Sequence, residues 1–203
     1  MTERSLPPGK LSFEEFLTWC DEDTWAEWVD GSVIMVSAAS DRHQNLADFL
    51  TAVLRIYVES RDLGSVRSVP FLMRLPDVPS GREPDLLFVA AARRSQLKEA
   101  YLDGPADLVV EIVSPESRLR DRGEKFAEYE LGGVREYWIV DPELRRADFY
   151  RLDPQARYRL VEPDAEGKYH SAAIPGFWLR VEWLWQEPLP PVLTVLRELG
   201  LIQ

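Results

Sequence analysis

Two acidic residues stand in stretches of sequence that otherwise favour burial. Glu111 interrupts Leu108-Val109-Val110-Glu111-Ile112-Val113, a run typical of a strand that is buried on both faces. Asp85 directly precedes a second apolar run, Leu86 to Val89. An uncompensated buried carboxylate costs several kcal/mol, so the fold must supply a cation, a metal ion or a proton at each position.

The two acids together indicate metal-ion chemistry. Carboxylates on neighbouring core strands would repel each other, and a divalent cation would relieve that repulsion. Oxygen ligands favour a hard ion such as Mg²⁺, or Mn²⁺, over zinc. For each residue alone, the alternative is a strand-end acid that is paired with an arginine and has no catalytic role. A lysine at a compatible distance makes the pair more specific.

The surrounding sequence predicts the elements that would position these acids. Ser12 and Glu15 form a capping-box pattern at the start of a short helix, and Asp30-Gly31 predicts a hairpin turn. From Asp41 the apolar residues follow a helical period. Strands are further predicted at Val66 to Leu75, Leu86 to Val89, Leu108 to Val113, Tyr137 to Val140, Ala147 to Leu152 and Tyr158 to Glu162, a helix at Leu119 to Leu131, and an amphipathic helix from Pro190. This order predicts an α/β (α+β) fold, with a mixed central β-sheet flanked by helices, an extra β-meander and a C-terminal helix.

Length and composition predict one globular domain over 1–203, with an N-terminal arm (1–10) and a C-terminal helical tail (186–203). The chain has 203 residues, of which 45% are hydrophobic and 29% charged. It has one cysteine, so an intrachain disulfide is impossible. Neither a signal peptide nor an apolar run long enough to span a bilayer occurs in the sequence. We therefore expect a cytoplasmic protein without membrane contacts.

The charge balance limits the partners. With 24 Lys and Arg against 35 Asp and Glu, the net charge is −11, which argues against non-specific coating of nucleic acid or anionic membrane. A nucleic-acid contact would need a bound cation or a local basic ridge. Arg118, Arg120 and Arg122 could form such a ridge, although a solvated helix end would explain them equally well.

Seven tryptophans are many for this length. Three of them are assigned to strands and the core: Trp25, Trp28 and Trp138. The C-terminal cluster of Trp178, Trp183 and Trp185 indicates a subunit interface, and hence a homodimer, with core packing as the alternative.

Several of these features together resemble a known superfamily. The chain contains Pro84-Asp85, then Glu111-Ile112-Val113, then Lys125 on the next helix. In this order they resemble the restriction-endonuclease-like PD-(D/E)XK superfamily. Within it, they resemble the bacterial group of uncharacterised proteins described as putative restriction endonucleases. The similarity extends over about Leu11 to Trp185 and includes Glu27 before Asp30-Gly31, His43 at a helix start, Ser114-Pro115, and the strand Tyr137 to Val140 followed by Asp141-Pro142.

The resemblance implies a role for each of these residues. Asp85, Glu111 and the Ile112 carbonyl would hold Mg²⁺, and Lys125 would orient water or stabilise negative charge. Glu27 could complete the metal shell directly or through water. His43 could orient a metal ligand or donate to a phosphate, with a purely structural histidine as the alternative. The superfamily pattern expects lysine two residues after the glutamate, where this chain has Val113, so Lys125 must supply the lysine unless it is an ordinary solvated side chain.

Three functions are compatible with these residues. The first is a Mg²⁺-dependent endonuclease that hydrolyses DNA phosphodiester bonds. The second is a catalytically inactive nuclease-fold protein that binds nucleic acid or serves as a scaffold, which the acidic charge and Val113 favour. The third is a metal-dependent phosphoesterase with a small substrate.

Overall fold

The computed structural model describes residues 6–7, 9–21, 24–36, 39–115 and 117–202. The predicted N-terminal arm, 1–10, therefore lies largely outside the described residues. No helix within the described ranges is long and apolar enough to cross a membrane. The division into a single domain with an arm and a tail stays a prediction.

The central sheet is mixed, as predicted. Six strands of the described chain form it in the spatial order β11-β10-β9-β8-β6-β3. These strands are β3 (Gly64–Ser68), β6 (Leu86–Ala90), β8 (Leu108–Ile112), β9 (Glu136–Asp141), β10 (Arg146–Leu152) and β11 (Tyr158–Leu160). Strands β8 and β9 are parallel, and the other neighbours are antiparallel. Strand β8, which carries Glu111, lies in the interior of this sheet.

A second sheet packs beside the first, and the sequence patterns do not predict it. In the described part of the chain its order is β2-β1-β5-β4-β7. Its strands are β1 (Ala26–Val29), β2 (Ser32–Met35), β4 (Leu72–Leu75), β5 (Ser80–Arg82) and β7 (Tyr101–Asp103). Asp30 and Gly31 both have positive φ, 44° and 82°, which confirms the predicted hairpin turn between β1 and β2.

The single strand predicted from Val66 to Leu75 is wrong. The chain leaves the central sheet after Ser68 and enters the second sheet at Leu72. Pro70 lies between them, and a proline has no N–H to continue a hydrogen-bonded ladder. The alternation of apolar residues runs through this change of sheet, so periodicity alone does not reveal it.

Five α-helices of the described chain flank the sheets, and two short 3-10 helices, Ala91–Gln96 and Val181–Trp185, lie between other elements. The α-helices are α1 (Phe13–Trp19), α2 (Asp41–Ser60), α3 (Arg118–Arg122), α4 (Glu124–Gly132) and α5 (Val192–Glu198). The capping box of Ser12 and Glu15 is confirmed, whereas the N-cap of α2 is Ser40 rather than Asp41. The one helix predicted from Leu119 to Leu131 is two helices. The chain breaks at Gly123, whose φ of −118° and ψ of −85° are not helical.

The two faces of the central sheet are covered by different layers. Helix α2 packs on one face, against Leu108, Val110 and Ile112 of β8. On the opposite face, Val109 and Val113 pack with Tyr129 of α4 and with residues of the second sheet. Because side chains alternate along a strand, Glu111 lies on this second face, towards α4.

The tryptophans differ from their predicted places. Trp25 precedes β1 and is 48% exposed, so its assignment to the core is wrong. Trp138 is buried and Trp28 half-buried. In the C-terminal cluster Trp183 is buried, and the other two tryptophans are half-buried against the same core. This packing leaves less aromatic surface for an interface, and the homodimer stays a prediction.

The C-terminal region extends the core. Strands β10 and β11 are antiparallel neighbours, which confirms the predicted meander. The chain then forms a hairpin of β12 (Lys168–His170) and β13 (Trp178–Arg180), which the sequence did not predict. Helix α5 buries Val195 against the core that contains α2, and its Leu196 is also buried. Leu193, on the same helix, is exposed.

Candidate active site

Lys125 lies at the centre of a buried cluster of charges. Its Nζ is 2.9 Å from Glu111 Oε1, 3.0 Å from Glu27 Oε1 and 3.6 Å from Asp121 Oδ1. Helix α4 begins after the break at Gly123, so Lys125 lies in its first turn. The Lys125 side chain is only 4% exposed. A solvated lysine is therefore the wrong interpretation of Lys125. Its catalytic role stays a prediction.

Glu111 contacts this lysine and one further group. The Tyr129 hydroxyl, one turn along α4, lies 2.8 Å from the same Glu111 oxygen. Glu111 is itself buried. The predicted buried carboxylate in β8 thus has a cation and a hydroxyl as partners.

Asp85, directly before β6, lies next to Glu111 of the neighbouring strand β8. The β6–β8 register pairs Leu86 with Val110, so one step further places Asp85 beside Glu111. Asp85 Oδ2 accepts a hydrogen bond from the Ile112 N–H at 2.6 Å. His43 Nε2 lies 3.2 Å from the same oxygen. The structure therefore brings Asp85 and His43 together at the end of β8.

A buried arginine holds Glu27 from the side opposite to Lys125. Arg82, in β5, has no exposed surface, and its guanidinium lies 2.9 Å from Glu27 Oε2. The Arg82 guanidinium also donates two hydrogen bonds to the Glu128 carboxylate of α4, at 2.6 and 2.8 Å, which is a bidentate contact. Arg82 thereby links the second sheet to α4, and Glu27 links Arg82 to Lys125.

Electrostatics within the cluster reflect an excess of carboxylates. Burial would raise the pKa of Glu27, but Lys125 and Arg82 outweigh burial and lower its pKa to about 2. Burial raises the pKa of Glu111 to about 8 against the attraction of Lys125. Burial, with Glu27 adding to it, raises the pKa of Glu83 to about 7. The cations present thus hold one of these three acids firmly ionised and leave the other two with raised pKa values.

His43 and Lys125 both favour their charged forms. Burial would lower the pKa of each, but nearby carboxylates outweigh it and raise the pKa. For His43 the carboxylate is Asp85, and for Lys125 the largest contribution comes from Glu111. His43 Nδ1 is buried and makes no hydrogen bond in the described structure.

All of the predicted site residues face one cleft. Its volume is about 890 Å³, and Glu27, His43, Asp85, Glu111 and Lys125 line it, as does Ile112. Four residues of the cluster were missed: Arg82, Glu83, Asp121 and Tyr129. Asp121 could have been noticed because it lies one helical turn before Lys125. The sequence around Arg82 and Tyr129 does not indicate their roles, since the contacts of Arg82 depend on how the second sheet packs against α4 and the contact of Tyr129 depends on how α4 packs against β8.

The donor set of the cleft fits a hard divalent cation. Its floor carries carboxylates in excess of cations, and Asp121 Oδ1 is buried without a hydrogen bond. Among the described residues, no three His, Cys, Asp or Glu side chains form a ready metal cluster. Two carboxylates, one carbonyl and several waters would nevertheless suffice for Mg²⁺, which retains much of its hydration.

The predicted basic ridge is largely neutralised. Arg118 pairs with Asp141 at 2.8 Å, and Arg122 pairs with Asp148 at 2.5 Å. Only Arg120 of the three faces the cleft, among the residues described. The prediction of a continuous cationic ridge is therefore wrong, because acids of β9 and β10 pair with Arg118 and Arg122.

Comparison with known proteins identifies the family. The sequence profile of the Uma2 family, which is described as "Putative restriction endonuclease", matches residues 13–182. The chain belongs to the Uma2 family. It is also similar to an uncharacterised protein of Synechocystis sp. (strain ATCC 27184 / PCC 6803 / Kazusa), with 23% identity over 172 residues, which are 84% of this chain and 89% of the relative.

A solved structure confirms the fold of this Uma2 protein. It is similar to a crystal structure titled as a "putative nuclease belonging to DUF820" from Anabaena variabilis, with a TM-score of 0.71 and 17% identity. The match covers 86% of this chain and 97% of the other. This match confirms the α+β class with mixed sheets, and the family match confirms the restriction-endonuclease-like relationship. The family supports a nuclease in general terms.

The contacts of Arg82 lead to a stability prediction. We expect Arg82→Lys to lower the free energy of unfolding by about 1.5–3 kcal/mol, because lysine retains the charge but cannot make the bidentate contact with Glu128. Urea denaturation would measure the change. Arg94→Lys is the matched control: Arg94 pairs with Asp62 at the surface, and exposed ion pairs contribute little. Equal effects of the two substitutions would contradict a structural role for Arg82.

Proposed function

We propose that this Uma2 protein is a Mg²⁺-dependent endonuclease that hydrolyses DNA phosphodiester bonds. The observation that supports this most is a buried lysine in contact with Glu111 and Glu27, on the same cleft as Asp85. Carboxylates and a lysine around one open cleft are the groups that phosphodiester hydrolysis needs. The family membership points to the same class of reaction.

In this proposal Asp85, Glu111 and the Ile112 carbonyl would hold the ion. Bound there, Mg²⁺ would supply Lewis acidity and lower the pKa of a coordinated water. Lys125 lies beside Glu111 and would stabilise negative charge that develops on the phosphate. Arg82 fixes Glu27, and Glu27 in turn fixes the lysine, so both act as positioning residues.

His43 would act as a positioning residue for Asp85. Its Nε2 lies beside the Asp85 carboxylate, which fixes the ring orientation and favours the protonated ring. Because Nδ1 is buried in the described structure, the His43 ring would hold Asp85 in place and would not contact the phosphate itself.

A second candidate function is a catalytically inactive nuclease-fold protein that binds nucleic acid or acts as a scaffold. One observation favours it: the ammonium group of Lys125 already contacts both Glu27 and Glu111. A lysine in this position can replace a metal ion structurally. The two candidates differ in whether the protein cleaves DNA when a divalent ion is supplied.

Metal titration and a cleavage assay together separate these functions. We expect calorimetry to show binding of Mg²⁺ and Mn²⁺, and supercoiled plasmid to be nicked with either ion but not in EDTA. Metal binding without nicking of any DNA would favour the inactive alternative. Hydrolysis of a chromogenic phosphodiester, with no action on DNA, would favour the third possibility, a phosphoesterase with a small substrate.

A further inference from the structure

Trp25 places an exposed aromatic ring on the wall of the cleft. Its carbonyl accepts a hydrogen bond from the Val36 N–H at 3.0 Å, which extends the β1–β2 hairpin by one residue. Residues two apart on a strand face the same side, so Trp25 and Glu27 lie on one face. Both line the cleft. The exposed indole therefore belongs to the same cleft as the charged cluster.

Apolar residues line the same cleft as Trp25. They are Val36, which pairs with Trp25 across the hairpin, and Val69 and Pro70, and Val69 is exposed. The Val69 N–H donates to the Asp85 carbonyl at 3.3 Å, so an exposed apolar side chain directly adjoins a predicted metal ligand. The cleft thus offers an apolar, aromatic surface beside a site for a metal-bound anion. A nucleotide has the matching parts: a flat base beside a phosphate.

Few cations in the cleft are available for phosphates. Arg42 contacts Glu187. In the parts of the chain that the structure describes, Arg120 and Arg145 line the cleft without a carboxylate partner, and Arg120 Nε is buried without a hydrogen bond. A protein that binds duplex DNA through its backbone commonly neutralises about 6–10 phosphates. Two arginines fall well short of that number.

We propose that the cleft binds single-stranded DNA, with one base stacked on Trp25 and neighbouring phosphates paired with Arg120 and Arg145. The inference rests on the proposed nuclease function and deepens it by naming the substrate class. Aromatic rings stack on the face of any base, but a base inside a duplex has no free face. A cleft of about 890 Å³ has the size of a small-ligand pocket, which suits a few unstacked nucleotides better than a duplex.

The test measures binding without cleavage. Fluorescence anisotropy in EDTA would compare a labelled single strand with its duplex, using the full chain and the variants Trp25→Ala, Trp25→Phe and Leu193→Ala. We expect the single strand to bind more tightly, and Trp25→Ala to weaken it roughly 5- to 150-fold. Trp25→Phe should retain most of the affinity, since it preserves stacking. Leu193→Ala, which removes an exposed apolar side chain of α5, should change nothing.

Salt dependence gives an independent measure. Two phosphate contacts on a single strand predict a slope of log K against log salt of about −1.4. A slope several times steeper, tighter binding of the duplex, no binding of either DNA, or an unchanged affinity of Trp25→Ala would each overturn the inference. Thermal unfolding of Trp25→Ala would establish that the variant is folded.

The outcomes also separate this inference from the proposed function. A preference for single strands that depends on Trp25, with no cleavage of circular single-stranded DNA in Mg²⁺, would sustain the inference and remove the nuclease. Mg²⁺-dependent nicking of duplex DNA, with no preference for single strands, would sustain the nuclease and remove the inference.

Discussion

Asp85→Asn is expected to lower Mg²⁺-dependent cleavage at least about 1,000-fold, because Lewis-acid stabilisation by a bound metal ion contributes several kcal/mol to the transition state. The amide has nearly the shape of the carboxylate, and its oxygen can still accept the hydrogen bond from the Ile112 N–H. The variant therefore removes a negative charge and leaves the end of β8 in place. Initial rates of plasmid nicking would measure the loss, and calorimetry should show weakened Mg²⁺ binding.

Asp77→Asn is the matched control for Asp85→Asn. Asp77 is exposed and does not line the cleft, so the same chemical change there should leave the rate unaltered. If Asp85→Asn cleaved as fast as Asp77→Asn, the metal site would have to be moved away from Asp85.

Lys125→Met is expected to lower the free energy of unfolding by about 3–5 kcal/mol, because it leaves buried carboxylates without their cation. Methionine fills much of the same volume, so lost packing contributes little. Urea denaturation in EDTA would measure the change, and Lys98→Met, at an exposed position, serves as the control. A loss no larger than that of the control would show that the charge of Lys125 does not stabilise the fold. We also expect the variant to lose cleavage activity.

The effect of Lys125→Met should depend on pH. Glu27 has a folded-state pKa of about 2, below its ordinary value of 4.5, so its stabilising contribution is fully present above about pH 4.5. That contribution is lost as the pH falls from 4.5 towards 2. Because Lys125 is a main cause of the low pKa, the stability difference between the two proteins should narrow over this range. A difference that widened on acidification would contradict the assignment.

The sequence predicted the acids of this site better than their partners. Glu111 could be recognised because one charge in an apolar strand is conspicuous, and Asp85 because it borders a second such strand. The burial of Lys125 could not be foreseen, since the helical period was taken through Gly123 without a break. Arg82 lies in a second sheet whose strands are only three or four residues long. Short strands leave too little periodicity to detect.

Trp25 shows a different limit of sequence reasoning. Tryptophan in a predicted strand is usually buried, and the interpretation of Trp25 as core followed that rule. The ring instead lies on the side of the hairpin that faces the cleft, and neither composition nor period distinguishes a cleft from a core. Only the placement of the hairpin beside the central sheet, at the end where Asp85 lies, shows the difference.

The residues of the charged cluster lie at positions 27, 82, 111 and 125. Because they are far apart in the sequence, they emerge from the ribosome at different times. Synthesis runs from the N-terminus, so Glu27 and Glu111 emerge before the lysine that neutralises them. Until α4 has been made, the two acids have no reason to enter the interior together. The charged cluster would thus form as one of the later events of folding, and a nascent chain that stalled before α4 would lack its central lysine.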